Sequence, residues 1–201
     1  MAVVSGGTTL IDNGALDSAV PTGALTLLST QTASSSASIS FTSGIDSTYD
    51  SYVFKFIDIH PATDNVRFQF NFSTDSGSNY NVTKTSTSFR AYHAENDSAT
   101  ELSYETGSDL AQGTGFQMLD LSSVGNGNDE TFSGIMSVFN PSSTTFVKHF
   151  IATGEQNAAN NYSHNGFVAG YANTTSAINA VQFKMTSGNI DAGVIKLYGV
   201  K

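Results

Sequence analysis

The chain has no cysteine and no tryptophan, only three prolines in 201 residues, and few charges, 12% of the total. Without cysteine there is no disulfide framework, no thiolate metal site and no sulfur nucleophile. Cations are scarcest: Lys and Arg number 8 against 17 Asp and Glu, a formal net charge of −9. An acidic chain repels phosphate backbones, which argues against nucleic acid as a partner. Long apolar runs are missing as well. Tyr52-Val53-Phe54 and Val194-Ile195 are typical, far short of the roughly 20 residues of a membrane helix, so no membrane partner is expected. Met1-Ala2-Val3-Val4-Ser5 lacks the basic start and apolar stretch of a secretory signal.

Ser and Thr make up about a quarter of the chain, and Asn and Gly are also abundant, a composition poor for helices. Disorder does not fit either, because 14 Phe and 8 Tyr fall in regular bursts, and disordered chains are depleted in aromatics. The bursts alternate. Val66-Arg67-Phe68-Gln69-Phe70-Asn71-Phe72 places apolar residues at even positions, predicting a strand with one face buried and one solvated. Ser38 to Phe41 and Val181 to Met185 repeat the pattern. Tyr52 to Ile59 is apolar on both faces and reads as a central strand or one that meets another chain.

Further strands are predicted at Leu25 to Gln31, Ser88 to Tyr92, Phe116 to Leu121, Phe132 to Phe139, Phe146 to Thr153, Gly166 to Tyr171 and Gly193 to Tyr198. Turn chemistry separates them at Asp75 to Asn79, Gly125 to Asp129, Asn140 to Ser143 and Ser187 to Asn189. About ten short strands with no helical period predict an all-β, antiparallel two-sheet sandwich, jelly-roll-like before immunoglobulin-like. Residues 24–201 form that sandwich. Residues 1–23 are small and Gly-rich and read as an extended N-terminal assembly arm. Its anchors are Leu10, Ile11, Leu16 and Val20, and it is expected to add a strand to a neighbouring subunit.

Motifs that would carry chemistry are few. There is no G-x-S-x-G elbow, P-loop, dinucleotide fingerprint or H-E-x-x-H pair. His60, His93, His149 and His164 are isolated in sequence and read as ordinary strand or turn residues. The acidic stretch Glu95, Asp97, Glu101, Glu105 and Asp109 reads as a solvated loop rather than a glycosidase pair. Asn126, Asn128, Asp129 and Glu130 are calcium-type oxygen ligands in one loop, but the EF-hand order is absent and a hairpin turn explains them. The sequons at Asn71, Asn81, Asn96, Asn161 and Asn173 follow from composition alone. No catalytic residue, metal site or cofactor is therefore expected. Tyr80, Tyr92, Tyr104 and Tyr162, beside loop Asn and Asp, are the candidate contacts for a glycan.

One resemblance spans most of the chain. Leu25-Thr26-Leu27-Leu28-Ser29, then Ser38 to Tyr49, Tyr52 to Phe56 and His60-Pro61-Ala62-Thr63-Asp64-Asn65 resemble short β-rich structural proteins of tailed bacteriophages of marine and aquatic bacteria. The start Gly7 to Asp12 and the closing Ile178 to Met185 and Gly193 to Gly199 are similar too. The resemblance implies a virion component and transfers no catalytic residue. The expectation is a non-enzymatic protein on the particle exterior, a capsid decoration or cement subunit assembled as a homotrimer or larger ring. Its partners would be itself and other virion proteins such as the major capsid protein or the tail. The alternative is a tail or head fibre component that binds host-surface glycans.

Overall fold

The computed structural model describes residues 3–12, 15–16 and 25–201. Among them every regular element is a strand: β1 Val3–Ser5, β2 Thr8–Asp12, β3 Ala15–Leu16, β4 Thr26–Thr32, β5 Ile39–Phe41, β6 Ser51–Pro61, β7 Phe68–Ser73, β8 Lys84–Ala94, β9 Thr100–Tyr104, β10 Gln117–Met118, β11 Phe132–Phe139, β12 Lys148–Ala158, β13 Tyr162–Ala172, β14 Ala180–Met185 and β15 Ile190–Val200. All pairings are antiparallel, as the alternating patterns require. Three sheets result. One has eight strands in the order β4-β15-β6-β11-β12-β13-β8-β9, one has four in the order β10-β7-β14-β5, and β1-β2-β3 form a third.

The two larger sheets make the expected sandwich. Take β4, β5, β6, β7, β10, β11, β14 and β15 in chain order. They pair first-eighth-third-sixth in one sheet and second-seventh-fourth-fifth in the other, the pairing order of a jelly roll with its two Greek keys. The remaining four, β12, β13, β8 and β9, extend only the larger sheet, beyond β11.

Phenylalanine joins the layers. Phe183 of β14 lies 5.1 Å from Phe54 and 5.2 Å from Phe56, both on β6. It also stacks on Phe68 of β7 at 5.9 Å. Phe150 on β12 meets Phe70 and Phe72 at 5.3 and 5.8 Å, so the core continues under the added strands. Edge-to-face pairs of this kind contribute about 0.5–1.5 kcal/mol each beyond their burial.

Where rings cross the sheet, glycine makes room. Gly134, Gly154 and Gly166 pair in one row across β11, β12 and β13. A Cβ at Gly154 would come within 2.4 Å of the Phe132 ring. Gly154→Ala should therefore lower stability by about 1–3 kcal/mol through overpacking, read as a shift of the urea midpoint at unchanged m-value.

One expectation is corrected here. β7 is buried on both faces, not one: Asn71 and Ser73 are as inaccessible as the phenylalanines between them, and Gln69 is buried too. The amide Nδ2 of Asn71 donates to the carbonyls of Tyr80, Thr114 and Gly115. Loops thus cover the outer face and satisfy its polar groups, as buried amides require.

Within the expected arm, β1, β2 and β3 form a meander of their own. Gly6 and Gly7 have φ of 59° and 84°, which suits the two-residue turn that closes β1 on β2. Asn13 and Gly14, between β2 and β3 in the sequence, lie outside the described residues. Ile11 is exposed, Leu10 and Leu16 lie on β2 and β3, and Val20 is outside the described residues.

Candidate interaction face

The outer face of the eight-stranded sheet is built from the residues that alternate with the core. Because strand registers are fixed, these side chains line up in transverse rows. One row crosses every strand: Tyr104 of β9 pairs with Phe89 of β8, and Phe89 with Phe167 of β13. Phe167 then pairs with Thr153 of β12, Thr153 with Ile135 of β11, and Ile135 with Lys55 of β6. Lys196 of β15 and Thr30 of β4 complete it. The Phe89 and Phe167 rings stack in parallel, 4.9 Å apart and 9° from coplanar. Phe89 stays 43% exposed, Phe167 39%, Ile135 43% and Tyr104 51%. Scattered apolar residues are ordinary on a surface, but a contiguous stripe of them marks an interaction site.

Beside this ridge runs a furrow. Thr87, Ala169 and Ile151 occupy the next row. The small side chains leave an apolar depression of about 480 Å³ between Ile151, His149, Tyr171 and Thr85. Across the same row lie Ser137, Val53, Tyr198 and Leu27. Charge is uneven along the ridge row. Lys55 and Lys196 occupy its β6–β15 half, with the Lys55 ammonium 5.2 Å from the Tyr198 ring, while the exposed Asp58 and Asp191 lie further along the same two strands. The other half carries Glu155 facing outward, Asp109, which accepts from the Tyr104 hydroxyl at 2.7 Å, and Asp97 beside His93.

Under the added strands the interior is polar. Lys84 is fully buried and donates to Asn71 Oδ1 at 2.5 Å and the Val82 carbonyl at 2.8 Å. Burial lowers its ammonium to about 7. Lys148 is held by the carbonyls of Thr174 and Ser176, and burial lowers it as well. Asp120 accepts from Arg67 Nε at 3.2 Å and from the Phe68 amide at 2.7 Å. Its burial outweighs the pull of Arg67 and raises the carboxyl to about 7.

His164 is buried, and neither ring nitrogen has a partner among the described residues. Desolvation, with Arg90 and Arg67 adding to it, lowers its pKa to about 4. Such shifts are frequent at functional sites. Here, however, both lysines donate to backbone carbonyls, and Asp120 accepts from Arg67 and the Phe68 amide, so each is held within the fold.

The sequence-predicted residues are only partly brought together. Tyr92 and Tyr162 pair edge to face at 5.3 Å, beside His164. The Tyr92 hydroxyl donates to Glu101 Oε2 at 2.7 Å. Tyr104 belongs to the outer ridge, and Tyr80 lies against Gly77 and Asn71. The acidic stretch is not all loop: it contains β9. Within it Glu105 pairs with Arg90 at 2.9 Å. In the oxygen-rich loop, Glu130 Oε2 accepts from the Gly127 amide at 2.7 Å, closing the turn on itself. Among the described residues no three His, Asp or Glu side chains converge on a metal position.

Sequence reasoning missed the ridge. Phe89 and Phe167 were read within separate strands, and only the register across β8 and β13 shows them as neighbours. Compared with known proteins, the chain matches no family model, no curated protein and no solved structure.

Proposed function

We propose that this chain is a non-enzymatic structural protein that works by assembly, on the exterior of a bacteriophage particle as a capsid decoration subunit. The observation that supports assembly is the apolar ridge on the outer face of the eight-stranded sheet. Stacked phenylalanines standing side by side offer ring edges rather than open ring faces, which suits protein packing better than sugar stacking. The placement on a phage particle rests on the sequence resemblance.

Quantitative mass spectrometry of purified particles tests it. A decoration subunit should be present in a copy number comparable to that of the major capsid protein. A few copies per particle would favour the fibre reading, and absence from particles would overturn the proposal.

The fibre reading has the Tyr92–Tyr162 pair in its favour. It expects isolated protein to bind host cells or a glycan array, and Tyr162→Ala to remove that binding at unchanged stability.

A further inference from the structure

The outer face fits a second copy of itself. We propose that two copies pack these eight-stranded sheets face to face about a two-fold axis that runs parallel to the strands, between β11 and β12. This rests on the assembly reading above and names its partner and geometry.

An in-plane two-fold axis makes the contact isologous, and two directions keep the rows in line. An axis perpendicular to the strands and through the ridge row places each strand over its own copy, and so brings Lys55 and Lys196 against the same two lysines of the partner. An axis parallel to the strands reverses the strand order. The β8–β9 end of one copy then lies over the β15–β4 end of the other, and the lysines meet the end that carries Asp109 and Asp97. Like charges opposed in a desolvated contact are costly, so charge selects the parallel axis.

Shape agrees with charge. With rows kept in line, the strand registers put Thr153 opposite the partner's Ile135, Ile151 opposite the partner's Ser137 and Ala169 opposite the partner's Val53. Each is a small side chain against a larger one. The furrow at Thr87 and Ala169 faces the partner's Tyr198 and Val53, while the Phe89–Phe167 stack lies under the stems of the partner's two lysines. Lysine over an aromatic ring adds a cation–π contribution once water is excluded.

Area is sufficient as well. Eight strands about 4.8 Å apart span about 38 Å, and three rows add about 20 Å along the strands. The resulting face of about 750 Å² approaches the roughly 800 Å² per partner of a standard stable interface.

Because the chain has no cysteine, single labels report on it cleanly. Sedimentation of the full chain should show a dimer, and Ile151→Glu should weaken association at least 100-fold with the thermal transition unchanged. Ser187→Glu, in a turn distant from the face, serves as the control and should leave the dimer intact. A spin label on Tyr104→Cys, on β9 in the ridge row, should read a distance of about 34 Å across the dimer, seven strand spacings. A label on Thr153→Cys should read a much shorter one.

A monomer at every concentration would overturn the proposal, as would a dimer indifferent to Ile151→Glu. A short Tyr104 distance would instead establish the perpendicular axis and refute this geometry. A monomer abundant on particles removes the dimer alone. A dimer with the expected distances but absent from particles removes the particle reading alone.

Discussion

Phe183→Ala is expected to destabilise the protein by about 3–5 kcal/mol, the usual cost of removing a fully buried ring. Phe183 has no solvent exposure and touches the rings of Phe41, Phe54, Phe56, Phe68 and Phe70. These come from β5, β6 and β7, so the ring holds both sheets at once. The neighbours sit on paired strands and cannot collapse into the space, which places the cost at the upper end. Against a typical total of about 5–15 kcal/mol, a large share of the margin is lost. Urea unfolding followed by far-ultraviolet circular dichroism measures it. A loss below about 1 kcal/mol would mean that the two sheets are not joined through this ring.

Lys84→Met should move stability the other way, upward by about 1–4 kcal/mol at pH 7, the scale seen when buried charge gives way to a packed apolar side chain. Asn71 Oδ1 keeps the Phe72 amide as donor after the change. The sign follows from linkage. Burial lowers Lys84 from 10.5 to about 7, so between those values the unfolded chain binds a proton that the native chain does not. Wild-type stability therefore rises with pH from about 7 to 10.5, by at most about 1.4 kcal/mol per unit from this residue. Its contribution is fully lost once the pH falls below 7.

Lys148 is shifted in the same direction and leaves a smaller slope in the variant. Below pH 7 two other groups oppose each other. Lowered His164 removes stability as pH falls from 6.5 to about 4, while raised Asp120 restores it as pH falls from about 7 to 3.8. Denaturation midpoints from pH 7 to 10 for both proteins check the effect. Parallel curves would show that Lys84 is not the source.

Much of the sandwich was legible because alternation and turn residues are local signals. Phe132–Phe139 was placed to the residue, and the turns at Ser76, Asn140 and Gly188 carry the positive φ that their composition suggests. Strand ends were less legible. β8 begins at Lys84 and β12 runs to Ala158 because hydrogen bonds to β13 continue through polar residues that no apolar period marks. Phe116 to Leu121 was expected as a full strand, yet only Gln117 and Met118 pair with β7.

The outer face lies beyond such signals altogether. Each of its rows draws one residue from each strand it crosses, up to 171 positions apart (Leu27 and Tyr198), and no window of sequence contains them together. His164 was hidden for a related reason. Its ring packs on Tyr92, its partner across the β8–β13 pairing, and on Tyr162 of its own strand, and the β8 contact is visible only in the register.

The pairing order also sets a timetable for synthesis. Among the described residues β4 bonds only to β15, and β5 only to β14, so the first two strands of the sandwich wait for residues 180–200 to emerge. At about 5–20 residues per second, that interval is on the order of 10 s. Until then the four-stranded sheet lacks β14, which links β5 to β7, and with it Phe183. A ribosome that stops before residue 180 would release a chain with two orphan strands and an open core. Loss of the last 22 residues, 180–201, should therefore abolish folding. An insertion of equal length in the turn between β8 and β9 would interrupt none of these long-range closures.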